Sequence, residues 1–203
     1  MKLYDSPAAP NPRRVRIFLA EKGIVVPTET VDLSRLQQKE PEYAAINPMM
    51  RIPALVLDSG EILCESVAIC RYFEEIQPSP PLFGTGALEK ARVEMWQRRA
   101  ELNFLLPVAQ AFRHSHPAMR EMEQPQIAEL AETSRPRALD FAKFLDGEMA
   151  KRRFLAGDAF TIADITAFIA ADFAKYARIA FPEDLVHFAR WREEVAARPS
   201  SAA

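Results

Sequence analysis

Apolar and polar residues recur along the first part of the chain in patterns that predict a strand, a helix and a second strand. Residues 2–5 alternate and favour a strand. Residues 13–22 place apolar side chains on one face of a helix, and Gly23 supplies an end signal. Residues 25–31 predict the second strand, with Pro27 at a sheet edge. A helical crossover makes the two strands parallel.

The next stretch predicts a hairpin followed by a mostly apolar helix. Residues 34–46 are weakly patterned and favour only a short helix. Residues 53–57 and 61–63 flank Asp-Ser-Gly at 58–60, which is typical of a tight turn. Residues 66–76 confine their polar side chains to one stripe, so this helix should pack between the sheet and another layer. The order of these elements is that of a thioredoxin-like α/β fold.

Proline and glycine are concentrated in residues 77–86, which therefore predict a linker. Four helices are predicted beyond it, at residues 89–113, 126–149, 162–176 and 183–197. Pro107 should kink the first of them, and Pro136 should bend or break the second. The expected organisation is a thioredoxin-like α/β domain over residues 1–77 and an all-α domain over residues 87–199.

Composition describes an ordinary folded protein and narrows the classes of function. Of the 203 residues, 49% are hydrophobic and 27% are charged. A net charge of −2 provides no basic surplus for phosphates, which argues against a nucleic-acid partner. No apolar run reaches the ~18 residues of a membrane span. The first residues read as a strand and not as a secretion signal, so we expect a cytoplasmic protein. Cys64 and Cys70 are expected to be reduced, buried thiols.

The most informative stretch joins the Ile52-Pro53 bond to Glu65-Ser66, which opens the helix over residues 66–76. A proline at the start of a strand is tolerated, and its tertiary amide makes a cis bond accessible. A cis bond would turn the main chain of Ile52 toward solvent, where an extended peptide could pair with it. Ser66 at a helix N-terminus favours a carboxylate, and Glu65 can take an ammonium group. Taken alone, the Glu65-Ser66 pair would equally serve to cap the helix.

Together with residues 2–7, residues 10–16 and residues 154–164, this stretch resembles the cytosolic glutathione transferases of bacterial type. The resemblance covers nearly the whole chain and depends on the order and spacing of the motifs. It implies that Ser66 holds the γ-glutamyl carboxylate of glutathione, that Glu65 takes the ammonium, and that Ile52 and Pro53 meet the peptide. It also implies a homodimer that transfers glutathione to a small apolar electrophile.

Thiol activation is where the sequence departs from the family. The resemblance places the usual Ser, Thr or Cys donor at Ala9, which can offer only its backbone N–H. Asn11 is the best remaining catalytic candidate, because its amide donates without ionising. Alternatively, Asn11 caps a helix with Pro12 at the first helical position. Ser6 is the reserve candidate, and Tyr4 is expected to lie in the core.

Further side chains are assigned outer roles by the same resemblance. Lys39 and Arg51 are expected to meet the glycyl carboxylate at the other end of glutathione. Phe112 is expected to line an apolar electrophile pocket. Arg13 and Arg14 could lend positive potential to the site, but they lie on a first helical turn, where charged side chains are usually solvated.

Of two further polar groupings, one is interpreted as structural and the other does not have the spacing of a metal site. Thr161 and Asp164 have the spacing of a capping box at the start of a helix. His114 and His116 stand two residues apart, which does not place them on one helix face. We therefore expect no metal site.

Two other functions remain open from the sequence. The bound thiolate could reduce disulfides or peroxides instead of attacking carbon. Because Ala9 lacks a side-chain donor, the chain could also be a non-catalytic glutathione-binding or interaction protein.

Overall fold

The computed structural model describes all 203 residues, which separate into two compact units. Residues 1–80 with 202–203 form the first unit, and residues 81–201 form the second. The first unit contains four strands and three helices: β1 (Lys2–Asp5), α1 (Pro10–Lys22), β2 (Thr28–Thr30), α2 (Pro41–Ile46), β3 (Ala54–Val56), β4 (Ile62–Cys64) and α3 (Ser66–Ile76). Two short 3-10 turns, Leu33–Arg35 and Gln37–Lys39, precede α2.

The strands form one mixed sheet in the order β2-β1-β3-β4. β1 pairs in parallel with β2 and antiparallel with β3, and β3 pairs antiparallel with β4. This arrangement confirms the predicted thioredoxin-like fold. The second strand is shorter than predicted, because only residues 28–30 pair and all three are exposed. Pro27 still contributes its carbonyl, which accepts from the N–H of Leu3 at 2.9 Å.

Helices α1 and α3 pack against each other and share a buried ion pair. α1 begins at Pro10, three residues before the predicted start, and ends at Gly23, whose φ is 64°. Lys22 Nζ lies 2.7 Å from Glu74 Oε2, and neither side chain is solvated. Glu74, one of the polar residues predicted to share a stripe of this helix, is therefore buried. A buried carboxylate is tolerated there because Lys22 supplies the opposite charge.

The second unit is helical, as predicted. Its helices are α4 (Gly86–Ala100), α5 (Leu106–Arg113), α6 (Ala128–Met149), α7 (Ile162–Phe173) and α8 (Val186–Ala196). A π-helical turn, Glu101–Leu105, joins α4 to α5. In this turn the N–H of Leu106 donates to the carbonyl of Glu101. The predicted kink at Pro107 is thus replaced by a π-turn just before the proline, and Pro136 lies inside an unbroken α6.

Helix α7 forms the centre of this unit, as the sequence predicts. Ten of its twelve residues are buried. Phe104 from the π-helical turn is also fully buried and contacts the rings of three other phenylalanines. No helix of the chain combines the length and the apolar character that crossing a bilayer requires.

Candidate active site

In the loop before β3, one residue has main-chain groups that make no hydrogen bond within the chain. The Ile52-Pro53 bond is cis. The carbonyl of Arg51 accepts from the Tyr43 hydroxyl at 2.6 Å and from the Asn47 side-chain amide at 2.7 Å, so two bonds fix the loop one residue earlier. The N–H and C=O of Ile52 make no hydrogen bond within the chain. An extended peptide could therefore pair with Ile52 without displacing an internal bond.

The start of α3 is open. Glu65 is exposed, has a φ of 67°, and makes no side-chain bond to the helix. The first helical bond runs from the N–H of Ile69 to the carbonyl of Glu65 at 2.9 Å. The N–H groups of Ser66, Val67 and Ala68 consequently have no acceptor in the chain. The alternative that Glu65 caps this helix is not what the structure shows.

Arg14 lies beneath this helix start. Its side chain is 1% exposed, and Nη1 donates to the Oγ of Ser66 at 2.6 Å. The prediction that Arg14 is solvated is wrong. A signal was available in the sequence, because Arg14 stands three and four residues before the buried Ile17 and Phe18 and so shares their helix face. The neighbouring Arg13 is only partly buried.

The start of α1 offers few donors. Ala9 is the N-cap residue, and its N–H already donates to the carbonyl of Ser6 at 3.0 Å. Pro10 and Pro12 have no N–H. Asn11 is the second helical residue and not the cap, so the alternative capping role is wrong. Its backbone N–H has no acceptor within the first turn, and its side-chain amide is partly exposed and makes no bond. Asn11 therefore provides the open donors of this helix start.

A partly buried ion pair holds the loop between β1 and α1. Arg16 Nη1 lies 2.6 Å from Asp5 Oδ1, and Nη2 donates to the carbonyl of Pro7 at 3.0 Å. Ser6, the reserve catalytic candidate, directly follows Asp5 in the sequence and is buried. Tyr4 is half-buried, with its ring edge-on to Tyr43 at 5.8 Å, so the expected core position is only partly reached.

Two family models match the chain on either side of the linker. The glutathione S-transferase N-terminal domain matches residues 3–81, and the glutathione S-transferase C-terminal domain matches residues 106–199. The chain belongs to the glutathione S-transferase family.

Relatives match over almost their full lengths. Glutathione S-transferase 2 of Saccharomyces cerevisiae is 36% identical over 203 residues, which cover 98% of this chain and 87% of the relative. The crystal structure of Gtt2 from the same yeast has a TM-score of 0.95 at 36% identity and covers 100% of this chain and 99% of its own. A glutathione S-transferase domain-containing protein of Marinobacter aquaeolei VT8 has a TM-score of 0.96 at 36% identity, with coverages of 99% and 100%.

This glutathione S-transferase is thus an enzyme of the transferase class, and glutathione is the substrate of its family. The predictions for Lys39 and Arg51 stay predictions. Both side chains are exposed, Lys39 at the end of the second 3-10 turn and Arg51 directly before Ile52. These positions leave both cations accessible to a carboxylate.

The cysteines of this glutathione S-transferase are unsuited to replace the thiol of glutathione. Both are free. Cys70 is fully buried, and burial raises the pKa of its thiol to about 12. Cys64 is only half-buried, which corrects the expectation that both are buried. Its burial and then the charge of Glu65 raise the pKa of the Cys64 thiol. Both thiols therefore stay protonated at neutral pH.

In the second unit of this glutathione S-transferase, Phe112 belongs to a partly exposed aromatic group. Its ring stacks on His116 with centroids 4.7 Å apart and meets Phe173 edge-on at 4.8 Å. Tyr176, half of whose surface is exposed, continues the group beyond Phe173 at 5.5 Å. Such a surface can accept a flat apolar molecule.

His114 and His116 each accept a hydrogen bond from a backbone N–H. His114 Nδ1 accepts from the N–H of Ile127 at 3.1 Å, and His116 Nδ1 accepts from the N–H of Ala118 at 3.2 Å. No group of three or more His, Cys, Asp or Glu side chains is arranged to hold a metal ion.

Proposed function

We propose that this enzyme transfers glutathione to small apolar electrophiles, and that it holds glutathione on the first unit by its amino-acid head and its main chain. The observation that carries the proposal is the open start of α3. Three N–H groups and the Ser66 hydroxyl converge there with no internal acceptor for the N–H groups, while Glu65 stands exposed beside them. The N–H groups and the Ser66 hydroxyl would bind a carboxylate, and Glu65 would bind the ammonium group next to it.

The cysteinyl and glycyl parts of glutathione would contact other residues of the first unit. The cysteinyl residue would pair with the N–H and C=O of Ile52, which the chain leaves unused. Pro53 is buried and fixes the start of the strand directly after this pairing position. Lys39 and Arg51 would meet the glycyl carboxylate.

Asn11 would then stabilise the thiolate. An ordinary thiol has a pKa near ~8.5, so only a few per cent is ionised at neutral pH. Lowering the pKa by one unit requires ~1.4 kcal/mol of preferential interaction with the anion. The backbone N–H and the side-chain amide of Asn11 together can supply interactions of this size, and the N-terminus of α1 adds positive potential.

The chemical step needs no nucleophile from the protein. The glutathione thiol releases its proton to solvent, and the sulfur lone pair forms a bond to the electrophilic carbon. The leaving group departs with the electron pair of the bond that breaks. The enzyme contributes by stabilising the thiolate and by holding two substrates together.

The test compares Asn11→Ala with Asn103→Ala, which removes an exposed amide from the second unit. Conjugation of chlorodinitrobenzene would be followed as a function of pH for both variants. We expect the apparent thiol pKa to rise by about one unit in Asn11→Ala only. An unchanged pH profile would remove Asn11 from the mechanism. Turnover of hydroxyethyl disulfide or cumene hydroperoxide without conjugation would instead identify a glutathione-dependent reductase.

Phe112 is proposed to contact the electrophile. Phe112→Leu should raise the KM for an aromatic electrophile severalfold and leave the KM for glutathione within about twofold, because the aromatic group lies in the second unit and the glutathione groups lie in the first. An equal rise in both KM values would contradict this role.

We also propose that the enzyme is a homodimer. The helices α4 and α5 with the intervening turn expose a stripe of apolar side chains at heptad-like spacing: Leu88, Met95, Leu102 and Leu106. Exposed apolar stripes of this kind mark protein interfaces. Gel filtration should give twice the chain mass of 22.9 kDa. A species of the single-chain mass would refute the dimer.

A further inference from the structure

We infer that Arg14 is a positioning residue for the γ-glutamyl carboxylate and acts through Ser66. This inference rests on the proposed function, because it assumes that the start of α3 receives that carboxylate. Arg14 would do two things from its buried position: it would direct the Ser66 hydroxyl proton outward, and it would add positive charge beneath the site.

The hydrogen bond between the two side chains fixes the direction of the hydroxyl. Arg14 Nη1 can only donate, so the Ser66 Oγ, 2.6 Å away, must accept. A hydroxyl that accepts this bond still has one proton to donate. That proton is free to point away from Arg14 toward the end of α3, where a carboxylate oxygen can take it. The bond from a charged donor also makes the hydroxyl a stronger donor in turn.

The charges around Arg14 reinforce this effect. The N-terminus of α3 carries partial positive charge from its three open N–H groups. The guanidinium of Arg14 lies beneath this helix end, so a bound anion would be attracted by both.

Burial distinguishes Arg14 from the other cations proposed for glutathione. Lys39 and Arg51 are exposed, whereas Arg14 is 1% exposed. Salt screens charges at the surface strongly and buried charges weakly. An attraction that comes from Arg14 should therefore persist at high ionic strength.

The experiment combines protein variants with two analogues of glutathione, and binding is measured by calorimetry. γ-Aminobutyryl-cysteinyl-glycine keeps the ammonium and lacks the carboxylate, while glutaryl-cysteinyl-glycine keeps the carboxylate and lacks the ammonium. Wild-type enzyme should bind the first analogue about tenfold or more weakly than glutathione. Arg14→Met should lose about tenfold in affinity for glutathione and for the glutaryl analogue, and less than about threefold for the aminobutyryl analogue.

Two variants complete the design. Arg14→Lys keeps a charge and should recover part of the carboxylate preference. Arg13→Met removes the adjacent, less buried cation and should leave the preference within about twofold of wild type. If Arg14→Met weakens all three ligands equally, Arg14 is merely structural and the inference is overturned. If wild-type enzyme itself does not distinguish the ligands, the proposed placement of the carboxylate fails, and the inference fails with it.

A measurement on wild-type enzyme can overturn the inference even if the Arg14 variants do not fold. The ratio of affinities for glutathione and the aminobutyryl analogue would be measured from about 0.05 M to about 0.5 M NaCl. A ratio that changes by less than about twofold supports a buried source of charge. A ratio that falls toward one assigns the attraction to exposed cations and overturns the inference.

Discussion

Helices α3 and α7 both begin with backbone N–H groups that need acceptors, but only α7 is capped by a side chain of the chain itself. At α7, one carboxylate of the chain itself closes the helix end. Asp164 accepts from the N–H of Leu155 at 2.8 Å, from the indole of Trp191 at 3.0 Å, and from both the N–H and the hydroxyl of Thr161 at 3.0 Å. At α3, no side chain caps the helix, and Arg14 is placed beneath it instead.

The difference shows how a helix end can be assigned to folding or to binding. The carboxylate of α7 is fully buried and every bond it accepts comes from within the second unit, so nothing remains for a ligand. The carboxylate next to α3, that of Glu65, is exposed and makes no bond to the helix. Both ends attract negative charge. The chain supplies that charge at α7, and in the proposed function a bound carboxylate supplies it at α3.

The largest expected effect is a loss of stability when the Asp164 carboxylate that caps α7 is replaced. Asp164→Asn replaces one acceptor oxygen by a donor that faces two other donors. We expect the free energy of unfolding to fall by about 3–5 kcal/mol, as for breaking other buried charged networks. Urea unfolding followed by circular dichroism measures it. A folded variant that keeps wild-type stability but loses glutathione binding would contradict the division between the two ends.

The same carboxyl predicts a pH dependence of somewhat smaller size. Burial raises the pKa of Asp164 to about 6, although the bonds that it accepts oppose the rise. The native state therefore holds this proton more tightly than the unfolded chain. The stabilisation is complete below about pH 4 and is lost as pH rises to about 6, a change on the order of 2–3 kcal/mol. The stability difference between wild type and Asp164→Asn should narrow over this range, and a widening difference would reverse the assignment.

Removing groups from the open end should affect binding and not stability. Ser66→Ala deletes the hydroxyl while the three N–H groups remain, so we expect about a tenfold loss of glutathione affinity. Glu65→Ala should cause a similar loss through the ammonium. Ser59→Ala, in the exposed turn between β3 and β4, is the matched control. Native affinity in both site variants would show that glutathione does not bind at α3.

Local chemistry in the sequence predicted both helix starts and much of the fold. Ser66 begins α3 as predicted, and Gly23 ends α1 because a left-handed residue is needed there. The spacing of Thr161 and Asp164 predicted the capping box that the structure contains. These signals lie within a few residues of one another, so no tertiary information was required.

What the sequence did not reveal depends on neighbours that are distant along the chain. Arg14 is buried against Ser66, which is 52 residues away along the chain, and Glu74 is buried against Lys22 on another helix. Neither contact can be read from the residues nearby in sequence. The start of α1 was misplaced because Pro10 and Pro12 can each occupy a first turn. The π-helical turn before Pro107 has no local signature that separates it from a simple kink.

The smallest expected effect is the loss of stability when only part of the capping box at the start of α7 is removed. Thr161→Ala removes one of the bonds to Asp164 and the side-chain half of the capping box, while the backbone bond at 3.0 Å remains. We expect a loss of about 1 kcal/mol in the free energy of unfolding, within the range of other cap deletions. Activity with glutathione should not change, because Thr161 lies in the second unit and the open helix end lies in the first. Thermal unfolding and steady-state kinetics on the same preparation measure both quantities. A Thr161→Ala enzyme with full stability and no activity would mean that the closed end also serves catalysis.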